Sequence, residues 1–158
     1  MADAWTVESH SPEETLAIGR RIGRAARPGD VVALAGDLGS GKTVLAKGMA
    51  EGLGAASARE VCSPTFVLCR EYLRGRIPFY HLDAYRLRGA ADLEAIGSAE
   101  IFTQGGLAAV EWADRAPEAM PEDHLLIRFE MTGPPSRRLT FTPRGPRSRE
   151  LLAALALG

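Results

Sequence analysis

The chain has 158 residues, 46% hydrophobic and 25% charged, with a formal net charge of −1. That length suits one domain with a real core, and the composition is that of a soluble globular protein. The near-neutral charge argues against a wholly basic surface that grips nucleic acid by bulk electrostatics and leaves room for a local basic patch, while two cysteines with three scattered histidines (His10, His81, His124) exclude a zinc framework.

Ala4 to Glu8 is predicted as a short strand. Ser11-Pro12-Glu13-Glu14 opens a helix, with Ser at the N-cap, Pro at the first helical position and Glu at the third. Leu16, Ile18, Ile22 and Ala25 follow with helical spacing, and Pro28-Gly29-Asp30 is a turn. Val31 to Ala35 is a continuous apolar run of strand length, the pattern of a parallel strand buried on both faces. A helix is expected from Lys42, with Val44, Leu45, Met49 and Leu53 buried, ending at Gly52-Leu53-Gly54. Phe66 to Leu73 and Ile77 to Leu82 are expected as a hairpin around Arg74-Gly75-Arg76. Ala91 to Ala99 is expected as a helix, with a second short turn through Glu100-Ile101-Phe102, broken by Gly105-Gly106. Leu107 to Val110 is a second apolar strand. Leu125 to Met131 alternates like a sheet strand, Arg138 to Thr142 pairs with it across Gly133-Pro134-Pro135, and Ser148 to Leu157 is a short helix.

These elements place the chain in the α/β class with antiparallel additions, as one domain over residues 1–158. Cys62 and Cys69 are expected as free, reduced thiols. The opening residues carry no signal-peptide pattern and no apolar run reaches membrane-spanning length, so the expected compartment is the cytoplasm, with no membrane partner.

The chemistry concentrates where the first apolar strand meets the second helix. Gly36-Asp37-Leu38-Gly39-Ser40-Gly41-Lys42-Thr43 satisfies G-x-x-x-x-G-K-[ST] in the strand–loop–helix context that this motif requires. Glycines let the backbone wrap a phosphate with its N–H groups turned inward, and the helix N-terminus presents its positive end to the same anion. Lys42 supplies a point charge for the outer phosphates, and the Thr43 hydroxyl is placed for Mg²⁺.

A nucleotide triphosphatase also needs a carboxylate at the end of a neighbouring strand. Glu111, ending Leu107 to Val110, and Asp83, ending Phe79 to Leu82, are the two candidates. Glu111 ends the better apolar strand and is preferred as the metal ligand, direct or through water; Asp83 would support it or position the attacking water. The Thr65 hydroxyl, in Ser63-Pro64-Thr65, could reach the γ-phosphate or the metal, against a turn with a self-bonded hydroxyl. Trp112 reads as core or as a stacking group near the nucleotide.

Four stretches, GDLGSGKT at Gly36, SPTF at Ser63, HLDAYRL at His81 and VEW at Val110, together resemble the TsaE (YjeE) family, the bacterial ATPase of tRNA threonylcarbamoyladenosine synthesis. The resemblance covers Ser11 to Trp112, with Ser40 where alanine is common. It implies a P-loop NTPase-type three-layer sandwich with a mixed, mainly parallel sheet and antiparallel additions. It implies ATP and Mg²⁺ as ligands, weak hydrolysis by the lone protein, and action on a complex of TsaB and TsaD, with tRNA reached only through that complex. By motif match, Asp37, Leu38, Gly39, Ser40, Gly41, Lys42 and Thr43 bind the phosphates, Thr43 and Glu111 hold Mg²⁺, Thr65 lies in a switch-like loop and Asp83 is needed for turnover. Trp112 sits near the nucleotide or the partner surface, Ser11 near the base, and Arg137 near the nucleotide. Arg86 is one candidate for an arginine finger in cis.

Two other classes compete. A small-molecule P-loop kinase would need an Arg-bearing lid, for which Arg70, Arg74 and Arg76 could serve if they are not simply solvated hairpin charges. A nucleotide-dependent RNA binder would hold tRNA alone with steep salt dependence.

Overall fold

The computed structural model describes residues 4–37, 39–61, 69–85, 89–95 and 97–157. Leu38, Cys62, the Ser63-Pro64-Thr65 stretch, Phe66 and Arg86 lie outside the described residues.

Seven strands form one sheet in the order β1-β7-β6-β2-β5-β4-β3. At its centre, β2 (Val31–Ala35), β5 (Leu107–Glu111) and β4 (Phe79–Asp83) are buried at every position. Continuous apolar composition does this, because each of these strands is covered on both faces. β6 (Leu125–Gly133) lies parallel to β2, β2 to β5, and β5 to β4. The flanks are antiparallel: β7 (Ser136–Pro143) against β6, β1 (Trp5–Ser9) against β7, and β3 (Cys69–Tyr72) against β4. Four parallel strands thus carry three antiparallel additions. On β6, buried positions alternate with open ones from Leu125 to Phe129, since helices cover one face there.

Successive residues of the central strands feed two cores. Val32, Leu34, Phe79, Leu107, Ala109, Leu125 and Ile127 pack with α1 (Pro12–Ala25), α2 (Lys42–Leu53) and α5 (Pro146–Leu157). Val31, Ala33, Tyr80, Leu82, Ala108 and Val110 pack with α3 (Ala90–Ala95), α4 (Ser98–Phe102) and the 3-10 turns at Ala113–Arg115 and Pro117–Ala119. The result is a three-layer sandwich.

α1 starts as its sequence predicts: the Ser11 hydroxyl accepts from the Glu14 N–H at 3.1 Å, and the Glu14 carboxylate in turn accepts from the His10 N–H. Its fully buried stripe is Thr15, Gly19, Ile22 and Gly23, whereas Leu16, Ile18 and Ala25 are half-buried. The stripe centres on glycine because α1 and α2 touch backbone to backbone. A Cβ on Gly19 would lie 2.3 Å from the Leu45 carbonyl oxygen, and one on Gly48 would lie 2.3 Å from that of Leu16.

Several boundaries differ from the sequence reading. The helix expected over Ala91 to Ala99 is divided between α3 and α4, with Gly97 at φ 84° as the N-cap of α4. The second hairpin strand runs from Phe79 to Asp83, so Asp83 ends the strand as its last paired residue. Val44, expected in the core, is half-buried and faces a cavity. No helix among the described residues is long and apolar enough to cross a membrane.

Candidate functional site

The carboxyl ends of β2, β5 and β4 converge on one edge of the sheet, where open parallel sheets place their ligand crevices. β2 ends at Ala35 and the chain turns through Gly36 into the loop ahead of α2. A Cβ on Gly36 would lie 2.9 Å from Phe129 and 3.1 Å from the Ser40 hydroxyl, so the loop closes tightly only on glycine. Gly41, at φ 106° and ψ 9°, is the N-cap of α2 and has no side-chain cap, which leaves the first N–H groups of the helix to face the loop.

Lys42 is buried, and its ammonium donates to the carbonyls of Gly36 at 2.7 Å and Asp37 at 2.8 Å and to the Ser40 hydroxyl at 3.3 Å. The same ammonium lies 3.8 Å from the centroid of the Trp112 ring. Burial pulls its pKa below the ordinary lysine value, and the carboxylates of Glu111, Asp114, Asp37 and Asp83 oppose that pull. Three acceptor oxygens and one aromatic face keep a desolvated cation in place at the loop.

Thr43, the next residue, donates to both oxygens of Glu111, at 2.9 and 3.0 Å. Glu111 and Asp83 are direct partners in the β4–β5 register and are both buried. The sequence treats these carboxylates as rivals; the sheet sets them side by side. One Asp83 oxygen accepts from the Tyr85 N–H at 2.8 Å, which turns the chain out of β4. A hydroxyl and a carboxylate in contact, with a second carboxylate alongside, form a hard-oxygen donor set that fits Mg²⁺ carried on phosphates. Among the described residues there is no cluster of three or more His, Cys, Asp or Glu side chains that would cage a metal without them.

Trp112 follows Glu111 in the left-handed region at φ 59°, uncommon for a bulky residue. That turn lays its ring against Lys42 on one side, and Tyr85 packs against it with ring planes tilted by 50° and centroids 4.8 Å apart. The Arg115 guanidinium sits 4.9 Å from the Tyr85 centroid. Trp112 therefore belongs to the site edge and not to the deep core.

On the other flank of the loop, Ser11, Pro12, Thr15, Gly39, Gly41, Val44, Pro135 and Arg137 enclose a cavity of about 180 Å³. Arg137 donates to the carbonyls of Gly39 and Ser40, each at 3.2 Å, and so braces the loop from β7. The structure thus brings together Ser11, Asp37, Gly39, Ser40, Gly41, Lys42, Thr43, Asp83, Glu111 and Arg137. Leu38 and Thr65 lie outside the described residues. A larger hollow of about 800 Å³, by Arg20, Gly54 and Arg74 at the far end of α2, shares no residue with this site.

The turn arginines, Arg74 and Arg76, lie away from this site. The β3–β4 turn joins the amino end of β4, the opposite edge of the sheet from Asp83 and Glu111. There Arg74 pairs with Glu60 at 2.6 Å, and Arg76 caps α1 by donating to the carbonyls of Gly23 and Ala26, both at 2.8 Å. Arg76 is exposed, the solvated charge that the sequence suggests, and it caps α1 as well; Arg70 is exposed on edge strand β3. The residue that sequence reasoning passed over is His81. The sequence shows it as one of three scattered histidines and as the first letter of HLDAYRL, yet its two-residue spacing from Asp83 puts both on one face of β4.

Comparison with known proteins agrees with this architecture. The profile of the family described as "Threonylcarbamoyl adenosine biosynthesis protein TsaE" matches residues 9–139. The tRNA threonylcarbamoyladenosine biosynthesis protein TsaE of Bacillus subtilis (strain 168) is 43% identical over 146 residues, covering 92% of this chain and 90% of that protein. Its namesake in Nostoc sp. (strain PCC 7120) is 37% identical over 146 residues, covering 89% of this chain and 87% of that protein. The crystal structure of Bacillus subtilis YdiB superposes with a TM-score of 0.84 at 37% identity, over 99% of this chain and 97% of that one.

Proposed function

The chain belongs to the TsaE family, and on that premise we propose that it is a Mg²⁺-dependent ATPase serving tRNA threonylcarbamoyladenosine biosynthesis. In this reading it binds ATP at Gly36–Thr43 and acts on a complex of TsaB and TsaD to sustain its turnover. The observation that carries the reading is the arrangement of Lys42 against the loop carbonyls, beside a Thr43 hydroxyl in contact with Glu111, at the carboxyl edge of parallel strands.

Thr43 and Glu111 would hold the Mg²⁺, with Asp83 alongside. When bound, that ion would neutralise charge developing on the phosphate oxygens. The chain's own contribution is orientation. Lys42 exchanges its bonds to Gly36 and Asp37 for phosphate oxygens, the α2 N-terminus receives the anion, and Asp83 stands where an attacking water could be oriented. The cavity by Ser11 and Arg137 opens beside Gly39 and Gly41 and is the place for the nucleoside. Among the described residues, Arg137 is engaged with loop carbonyls and Arg115 with an aromatic ring, which supports weak turnover by the lone chain.

The test is ATP hydrolysis by the purified chain with TsaB and TsaD present. Lys42→Ala is expected to lose turnover by about a hundredfold or more while keeping its fold. A variant that hydrolyses ATP at the parental rate would overturn the site assignment.

A further inference from the structure

His81 is wholly buried, and its Nε2 lies 2.5 Å from Oε2 of Glu111. Its ring stacks on Phe79, with centroids 6.0 Å apart and planes 24° apart. Its Nδ1 is buried with no partner among the described residues. Two bare acceptors would repel at 2.5 Å, so a hydrogen lies between them, and with Glu111 as the accepting carboxylate it is carried by Nε2.

From this geometry we propose that His81 is a positioning residue for Glu111, which it orients toward Thr43 from beneath. The proposal rests on the reading of Glu111 as the Mg²⁺-facing carboxylate. A strand-end glutamate has three side-chain torsions to lose when it meets a cation, and that loss is a cost of binding. Here Oε2 is pinned by His81 on one side and by Thr43 on the other, at 2.5 and 3.0 Å. Oε1 accepts from Thr43 alone among the described contacts. The neighbouring strand fixes His81 in turn: it is held by the register to Ala109 and by the stack on Phe79. The carboxylate is thus set before any ligand arrives, as charge-assisted bonds to metal-facing carboxylates do elsewhere.

Two variants separate the bond from the packing. His81→Phe keeps a flat ring against Phe79 and removes the donor; His81→Gln keeps an N–H at similar reach. Binding of N-methylanthraniloyl-ATP is followed as Mg²⁺ is raised, and once without divalent cation. His81→Phe is expected to raise the Mg²⁺ half-saturation about tenfold or more and to leave metal-free nucleotide binding near the parental value. His81→Gln is expected to recover most of that loss. A folded His81→Phe with the parental half-saturation, or a His81→Gln no better than His81→Phe, overturns the proposal. The second readout needs neither ligand nor activity: ¹⁵N spectra of the parental apo protein should show His81 protonated at Nε2, with that signal moving in Glu111→Ala. A ring protonated at Nδ1 only overturns it even if both His81 variants fail to fold. If the parental chain itself binds the nucleotide without regard to Mg²⁺, the ATP–Mg²⁺ reading falls and takes this inference with it.

Discussion

Helix α2 is bounded by glycine in two ways that share nothing but the residue. At its N-terminus Gly41 stands at φ 106°, and a Cβ there would meet nothing closer than 3.8 Å. Along its flank Gly48 and Gly52 face Gly19 and Gly23 of α1 with ordinary helical backbone, and a Cβ on any of the four would fall within 2.2–2.3 Å of a carbonyl oxygen. The loop needs a backbone that a side chain would strain; the seam needs a volume that a side chain would fill. The seam nevertheless serves the loop. By drawing α1 onto α2 it brings Ser11 and Thr15, at the start of α1, beside Gly41 and Val44 to close the small cavity.

The largest expected effect breaks the seam. In Gly48→Ala the new methyl would meet the Leu16 carbonyl oxygen at 2.3 Å and the Gly19 Cα at 2.9 Å, and both are backbone. Neither can give way without parting the helices. A loss of about 3 kcal/mol is expected, and with it a fall in melting temperature of roughly 6–12 °C. A thermal midpoint unchanged within about 2 °C would show that the helices do not depend on close approach.

The matching change in the loop should do the opposite. Gly41→Ala adds a methyl with room around it but holds an L-residue in the left-handed region, at about 1–2 kcal/mol. Its melting temperature is expected to fall by about one third to two thirds as much as that of Gly48→Ala. ATP affinity should fall at least tenfold, since the strain is relieved by turning the loop N–H groups away. If Gly41→Ala binds ATP like the parent, the loop conformation matters less than its length.

That contrast also marks what was legible in the chain. The loop announces itself because G-x-x-x-x-G-K-[ST] is local: every residue that builds it is adjacent in sequence. β2 and β5 were legible for the same reason, as unbroken apolar runs. The seam was written just as clearly, as Gly19-xxx-Gly23 and Gly48-xxx-Gly52, but the spacing does not say which helix meets which. The apolar spacing of Leu16 and Ala25 therefore points beside a buried stripe that belongs to Gly19 and Gly23. Asp83 and Glu111 were weighed as alternatives because strand order is a tertiary fact; once β4 lies beside β5 they are partners. His81 escaped for the same reason, since its spacing from Asp83 was visible and its neighbour on β5 was not. Arg76 as a cap on α1 required the hairpin to fold back over a helix 50 residues earlier.

The smallest expected effect sharpens the comparison at Arg137, which ties β7 to the loop. Arg137 donates through two nitrogens to the carbonyls of Gly39 and Ser40 and also lines the cavity by Ser11. It can therefore act on the loop, on the nucleoside, or on both, and the two actions leave different marks. Bonds from a partly exposed guanidinium to carbonyls contribute about 1 kcal/mol, so Arg137→Ala should weaken ATP binding roughly fivefold with little change in melting temperature. If Arg137 acts by bracing the loop, ATP, GTP and inorganic triphosphate weaken together, because all three use the same phosphate cradle. Arg137→Lys then fails to restore binding, since a single ammonium cannot reproduce the two-pronged contact with successive carbonyls. A loss confined to ATP, with triphosphate unaffected, would move Arg137 from the loop to the base and leave Gly39 and Ser40 held by the backbone alone.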